Sequence, residues 1–529
     1  MSFQFKIIDN KSYILDISKN NLQPSSINKL FHDDYIDDEG KLISSEIRNR
    51  NLVGVFSTVQ TQKFGKNKKG NDIFLVKPLL KNLPGFMIAY GGKLKGKIVI
   101  KFKFTSWEKS LPSGQIIDVI GQFKEENLVP ILMNHYNLSS KKINYNGHNL
   151  EKNLTRKEYN SAPIFSIDPE DCVDIDDALS IEIKNGITII GVHIAQPICY
   201  LSLDDIKSKA KIQFSTLYTE DKRFDLWGEK ITNDSSLFEG EKKNAYSTMF
   251  YFEDNKIIKI EDYPAIITNS KKLSYENAHT HDEAIKLKNF TNNIFPRNEE
   301  IPDFHELISF WMIKTNNYIA EKYKDIVPFR VNNENILENS SFPEEIKTII
   351  KNKFIEAASY SYDEIRHDTL KLNYYCHFTS PIRRLVDTWI HFLITYKCFS
   401  EKLNLEETNK LDKDTKKFHR QIELNRLINN LFQENRIIEK TGYITEILSN
   451  NLIEVYLETL GFLKVKLYNL IFDYKIEKRI EDGCLTLKYE NVDYVYKIGS
   501  MIELSINKIE GILPKDKIIV IPKNVISFI

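Results

Sequence analysis

The chain has 529 residues, 42% hydrophobic and 28% charged, a balance that excludes a disordered polymer. At roughly 100 to 200 residues per domain it is too long for one compact core, and about three or four domains are expected. Lysine plus arginine and aspartate plus glutamate each number 73, so the formal charge is zero and any surface for a polyanion must be local. No apolar run approaches the ~20 residues that span a bilayer, and the opening MSFQFKIIDNKSYILD alternates apolar and polar residues where a secretory leader would be continuously apolar. The expectation is a cytoplasmic, monomeric protein without membrane contact. Five cysteines, Cys172, Cys199, Cys376, Cys398 and Cys484, form no Cys-x-x-Cys pair, so neither a disulfide framework nor a zinc knuckle is indicated.

The first strong feature is basic. From Lys63 to Phe104 there are eleven lysines against one acidic residue, Asp72, with Phe64, Phe74, Phe86, Tyr90, Phe102 and Phe104 interleaved. GKIVIKFKF alternates as a strand does, and Gly and Pro punctuate the stretch. A small β-barrel is predicted, of the OB type that binds single strands through backbone charge and base stacking, with most of the interleaved aromatics expected to fill the barrel core. Further on, ALSIEI and ITIIGVHIA flank Asn185-Gly186, a strong hairpin signal. Helical patterns follow in HELISFWMIKTNNYIAEKY, from Arg383 to Tyr396 and from Glu406 to Lys440. After Thr441 the short strands GYITEIL, LIEVYLE, FLKVKLY and SMIELSI predict a second small barrel.

The segment SIDPEDCVDIDDA places Asp168, Glu170, Asp171, Asp174, Asp176 and Asp177 within ten residues, just before a hydrophobic strand. At ~4 Å a like-charged pair costs roughly 1 kcal/mol in water and several at an effective dielectric of about 20, so such a group is solvated or holds cations. Hard oxygen ligands suit Mg²⁺, with Mn²⁺ able to substitute, and support phosphodiester hydrolysis. An EF-hand calcium loop does not fit, because the glycine at its sixth position and its terminal Glu are missing. On the residues alone, a metal site and a solvated acidic turn both stay open.

SIDPEDCVDIDDALSIE resembles the signature of the ribonuclease II and R (RNB-domain) family, whose members include the catalytic subunit of the eukaryotic exosome. GVHIAQPICYL and LSYENA follow as in that family. The second signature, HFTSPIRR from His377 to Arg384, continues to Asp387 and His391 and is preceded by His367 and Tyr375. The resemblance implies an α+β, multidomain chain, with a central mixed α/β RNB catalytic domain over 155–440. Around it would stand a truncated cold-shock-like remnant over 1–48, an OB-fold over 49–150 and a C-terminal OB-fold over 441–529.

The activity implied is 3′-to-5′ hydrolysis of single-stranded RNA to nucleoside 5′-monophosphates with Mg²⁺ or Mn²⁺. The metal carboxylates would be Asp168, Asp174, Asp176 and Asp177, with Asp168 and Asp177 as the direct ligands. Asp174, Asp176 and Arg383 would be catalytic, the guanidinium gripping the scissile phosphate. Tyr218 and Tyr275 would contact substrate, and Arg384 a substrate phosphate or an acidic neighbour. His193, His377 and His391 are read as structural.

Four departures bear on substrate preference and product length. Gln196 stands where the family commonly has aspartate, and Phe392 where it has arginine. The position that is acidic in the family, in the helix around Phe310 and Trp311, is not acidic here, and the span between LSYENA and that helix is short. An enzyme with few accessory parts is the expectation, with helicase or complex partners left open. The alternatives are a catalytically impaired RNA-binding scaffold on the same fold and a phosphodiesterase acting on DNA.

Overall fold

A computed structural model describes residues 3–8, 11–59, 64–140, 154–294, 301–333, 342–354, 357–433, 436–467, 476–481, 483–489 and 492–523. Two compact units emerge, Met1–Ser139 with Lys417–Ile529, and Ser140–Lys416. No described helix is long and apolar enough to cross a membrane.

The first unit begins with β1 (Phe3–Ile8), β2 (Lys11–Asp16), β3 (Asn21–Pro24), β4 (Tyr35–Ile36) and β5 (Leu42–Ser44), an antiparallel sheet in the order β3-β2-β1-β4-β5. Phe5, Leu30 and Ile36 form its core. The stretch expected to hold a truncated barrel remnant carries this sheet, whose strands begin with the alternation FQFKII well before the LFHDDYI segment. After α1 (Glu46–Asn49) a closed barrel is built from β6 (Asn51–Ser57), β7 (Asp72–Pro78), β8 (Phe86–Tyr90), β9 (Lys97–Ser106) and β10 (Ser113–Gln122), followed by α2 (Leu128–His135). Strand periodicity points Ile98, Ile100 and Phe102 inward and Lys97, Lys101 and Lys103 to the other face.

The interleaved aromatics follow the same periodicity. Phe74, Phe86, Tyr90 and Phe102 fill the barrel interior, where burying each stabilises by roughly 1.5–3 kcal/mol. Phe104 lies edge-on to Phe31 and beneath the Arg48 guanidinium, 4.8 Å from its ring centre. The lysines stay on the surface: nine of the ten described between Lys66 and Lys103 are exposed, and Lys101 is partly buried. Lys63 lies outside the described residues.

The second unit is a seven-stranded sheet with helices. In chain order it contains β11 (Lys157–Glu158), β12 (Ile164–Asp168), β13 (Asp177–Lys184), β14 (Ile187–Ala195), α3 (Leu203–Lys209), β15 (Leu217–Tyr218), β16 (Arg223–Phe224) and α4 (Glu229–Ser235). Then come β17 (Lys242–Glu253), β18 (Lys256–Thr268), β19 (Lys271–Ser274), α5 (Asp282–Ile294), α6 (Phe304–Lys322), β20 (Phe329–Val331), α7 (Glu344–Phe354), β21 (Ser359–Ser361) and α8 (Leu385–Tyr396). The sheet order is β11-β18-β17-β14-β13-β12-β19, with β12 and β19 parallel. Asn185 and Gly186 both take positive φ, 52° and 78°, in the two-residue turn that joins β13 to β14. Helix α8 is buried almost all round, and Leu385, Val386, Trp389, Ile390 and Leu393 pack into the core that also holds Ile181, Ile190 and Val192. α6 is pinned to the sheet by Asp262, which accepts hydrogen bonds from the hydroxyls of Tyr246, Tyr318 and Tyr323.

α9 (Leu405–Leu431) ends nine residues before the expected Lys440, and Ile437 to Lys440 belong instead to β22 (Ile437–Ser449). The reason is tertiary: Ile428 joins Ile444, Ile453 and Val455 in one core, so the chain turns once that packing is made. The strands that follow are β23 (Leu452–Leu457), β24 (Gly461–Lys466), β25 (Glu477–Glu481), β26 (Cys484–Tyr489), β27 (Val492–Lys497), β28 (Met501–Lys508) and β29 (Ile518–Pro522). They form a five-stranded sheet, β24-β23-β22-β28-β29, and a three-stranded one, β25-β26-β27. Inside the first unit Lys517 bonds Glu125 at 2.7 Å and Asn425 at 2.6 Å, tying this region to the barrel side.

Candidate active site

The acidic segment is a loop between neighbouring strands: β12 ends on Asp168 and β13 begins at Asp177. Its backbone is held from several sides. Lys272 of β19 donates to the carbonyls of Glu170 and Cys172, both at 2.8 Å, and Ser236 donates to that of Val173 at 2.7 Å. The Leu237 amide bonds the Ile175 carbonyl at 3.1 Å, and the Ala195 amide that of Asp176 at 2.8 Å. Facing it, the Ser380–Arg384 turn enters α8. Trp227 Nε1 and Thr388 Oγ1 donate to the Pro381 carbonyl at 3.0 and 2.6 Å, while the backbone of Phe214 and Thr216 bonds Leu385 and Arg383. Two residues beyond Thr216 the chain reaches Tyr218.

The four aspartates fall into two pairs by what they touch. Asp176 is 3% exposed; its Oδ1 accepts from the Ile382 amide at 2.7 Å and its Oδ2 from Arg383 Nε at 3.2 Å. Burial pushes this carboxyl well above the usual range and Arg383 pulls it back. Arg383 also donates to Ser380 Oγ at 2.9 Å, and its side chain is 45% exposed, so the guanidinium is anchored along one edge and open along the other. Asp174 is likewise engaged, accepting from Tyr218 Oη at 2.6 Å and from Arg223 Nη1 at 3.2 Å.

Asp168 and Asp177 make no such ion pair among the described residues. Burial raises Asp168 to about 6, with Asp174 adding, and raises Asp177 to about 7, with Asp168 adding. Asp168 Oδ2 is buried without a hydrogen-bond partner. An orphaned carboxylate oxygen beside a second carboxyl whose charge burial disfavours is chemistry that a hard divalent cation would relieve, so these two residues fit Mg²⁺ or Mn²⁺. Asp174 and Asp176 are held by protein cations, Arg223 and Arg383. Among the described residues no group of three or more His, Cys, Asp or Glu side chains is placed to hold an ion.

Tyr275 stands near that pair: burial, with Asp177 and Asp168 adding, pushes its hydroxyl up to about 12. Its ring lies flat on exposed His305, with centroids 3.4 Å apart. Tyr218 is 41% exposed. Arg384 donates at 2.8 Å to an acidic neighbour, Asp387, whose side chain is fully buried. His193 and His391 are driven down to about 3 by burial, and His377 well below its ordinary value. Each is boxed by hydrogen bonds, His193 by Ser180 and Ser247, His391 by the Phe378 carbonyl, His377 by Tyr360. Gln196 accepts from Arg156 and donates to Thr395 at 3.0 Å, a double role that an aspartate could not fill. Arg223 and Lys272 are functional neighbours that no motif in the sequence marked.

Residues 156–283 and 283–397 match the model of the RNB domain. Ribonuclease R of Aquifex aeolicus is 25% identical over 414 residues, 60% of this chain and 58% of that protein. Exosome complex exonuclease dis3 of Schizosaccharomyces pombe is 32% identical over 145 residues, 27% of this chain and 15% of that one. The chain spans little more than half the length of the Aquifex relative. Among solved structures, the apo form of Mycoplasma genitalium RNase R superposes with a TM-score of 0.73 at 15% identity, covering 99% of this chain and 100% of that one. Yeast Ssd1, described as a pseudonuclease, superposes with a TM-score of 0.71 at 12% identity over 99% and 96%.

Proposed function

The chain carries an RNB domain of the ribonuclease II and R family across residues 156–397, and from that premise we propose a 3′-to-5′ hydrolytic exoribonuclease acting on single-stranded RNA. The observation that carries this reading is the Asp168–Asp177 pair, raised by burial and with Asp168 Oδ2 unpartnered, near an Arg383 guanidinium that Asp176 holds with one edge free. Asp168 and Asp177 would hold Mg²⁺ or Mn²⁺, which when bound supplies an activated water and charge stabilisation for phosphodiester hydrolysis.

The chain's own residues do the rest. Arg383 offers N–H groups to the oxygens of the scissile phosphate, fixes its orientation and offsets charge that builds in the transition state. Asp176 keeps the guanidinium aimed, and Ser380 steadies its far end. Tyr218 and the Tyr275–His305 stack offer aromatic faces to the terminal bases, an interaction worth ~1–3 kcal/mol per base. The buried neutral histidines shuttle no proton and brace the frame. The exposed lysines of the barrel would draw the strand by its phosphates. An RNase R of this fold has been solved with ribose-methylated single-stranded RNA, which favours RNA as the polymer. The products would be nucleoside 5′-monophosphates.

A second reading has its own observation: Asp174 and Asp176 are engaged by Arg223 and Arg383, as a scaffold that binds RNA without cutting would tolerate. Incubation of 5′-labelled single-stranded RNA and its DNA counterpart with Mg²⁺, Mn²⁺ or EDTA separates the two. The nuclease yields a descending ladder from RNA only with metal. The scaffold retards RNA without shortening it, and a ladder from DNA would point to a general phosphodiesterase.

A further inference from the structure

We propose that Arg223 is a built-in counter-ion of Asp174, a positioning residue that occupies this carboxylate before a divalent cation enters and so sets how tightly the site binds one. The inference rests on the nuclease reading above, since it concerns the cation that reading requires. Its basis is a short hairpin. β15 and β16 pair Tyr218 directly with Arg223, so two donors stand side by side and both reach Asp174, one oxygen each. The hairpin is closed at its tip by Thr219, whose amide and hydroxyl bond the Lys222 carbonyl at 2.9 and 2.7 Å. Its far side is anchored as well, because Arg223 Nε lies 2.5 Å from Asp225 Oδ1. The guanidinium therefore bridges two acids, with its side chain 22% exposed and those of Asp174 and Asp225 at 10% and 9%.

Such an arrangement has a definite consequence for a cation. Asp174 lies on the short loop that runs from Asp168, the last residue of β12, to Asp177, the first of β13, so the three carboxylates belong to one segment. A divalent ion entering there meets Arg223 as a like charge, and at separations of a few ångströms in a partly dry site that repulsion is large. Arg223 thus spares the ion-free loop from self-repulsion and opposes the ion when it comes. A merely structural arginine would give the reverse dependence, since its loss would disorder the loop and weaken ion binding.

The test is a Mn²⁺ titration of the full chain, without RNA, read by the electron paramagnetic resonance signal of free Mn²⁺. Arg223→Met and Arg223→Gln should bind Mn²⁺ about tenfold or more tighter than the parent, because one positive charge has left the site. Arg223→Lys, which keeps the charge, should stay within about twofold of the parent by the same reasoning. The Gln variant retains a hydrogen bond to Asp174 and carries the test if the Met variant does not fold. Unchanged or weaker binding in both neutral variants, or equal tightening in the Lys variant, overturns the counter-ion role while leaving the nuclease reading intact. Absence of bound Mn²⁺ from the parent and every variant overturns both.

Discussion

Asp176→Asn changes one atom at the point where the acidic loop meets the arginine turn. In the native arrangement both carboxylate oxygens accept, one from the Ile382 amide at 2.7 Å and one from Arg383 Nε at 3.2 Å. An asparagine amide has one acceptor and one donor end, so in either orientation its NH₂ group faces an N–H. One hydrogen bond to a charged group is lost, worth roughly 1.5–3 kcal/mol, and the ion pair with half-exposed Arg383 adds about 1 kcal/mol or less after screening. A destabilisation of about 2–3 kcal/mol lowers the melting temperature of a unit this size by roughly 4–12 °C. The activity should fall by more than stability alone accounts for, on the order of 10²–10³-fold, because Arg383 loses its aim at the phosphate. Thermal unfolding and single-turnover decay of 5′-labelled RNA, both below the variant's melting range, measure the two effects, with RNA affinity expected to stay near that of the parent. Normal turnover with an unmoved melting curve would refute the assignment of Asp176 as the group that orients Arg383.

Arg384→Met should cost about 3 kcal/mol in urea unfolding, since it strands the buried Asp387 carboxylate, yet leave RNA affinity unchanged; a large loss of affinity without loss of stability would instead make Arg384 a substrate-binding residue. Asp168 and Asp177 have folded values, about 6 and about 7, above the ordinary 3.8, so the folded chain holds their protons more tightly than the unfolded chain does. The stability this confers is complete at low pH and is lost as pH climbs through about 6 to 7; the pair should therefore make the cation-free protein melt lower at pH ~8 than at pH ~5. Added Mn²⁺ should raise the melting temperature more at the higher pH, and equal rises at both would contradict a deprotonated pair as its site. Replacing Lys93, Lys95 and Lys103 by Gln should flatten the salt dependence of RNA binding by about 0.7 for each phosphate no longer neutralised, whereas an unchanged slope removes the barrel from the binding surface.

Local pattern made several elements legible. Asn185-Gly186 between apolar runs could only be a tight hairpin turn, and the aspartates crowded before β13 had to converge at a strand end. The alternation in GKIVIKFKF showed the strand, and the aromatics expected in the core went there: Phe74, Phe86 and Phe102 are interior, while most of the neighbouring lysines stay on the surface. The helix read as far as Lys440 failed because Ile437 and Ile438 suit either state, and the sheet register with β28 decides between them. Which carboxylate meets which cation was invisible for a related reason. Arg223 and Lys272 reach the loop from hairpin and sheet positions 49 and 100 residues away along the chain, separations that no short-range period encodes. Gln196 read as a loss until its partners Arg156 and Thr395 showed an amide in use at both ends.

Anomalous scattering from crystals grown with Mn²⁺ and a non-hydrolysable RNA is the most direct probe of the carboxylate pair. A manganese peak bridging Asp168 and Asp177, with a phosphate oxygen on the Arg383 guanidinium, is the expected result. RNA bound beside Arg383 with no ion at those carboxylates would contradict a metal-dependent nuclease and leave a binding protein in its place.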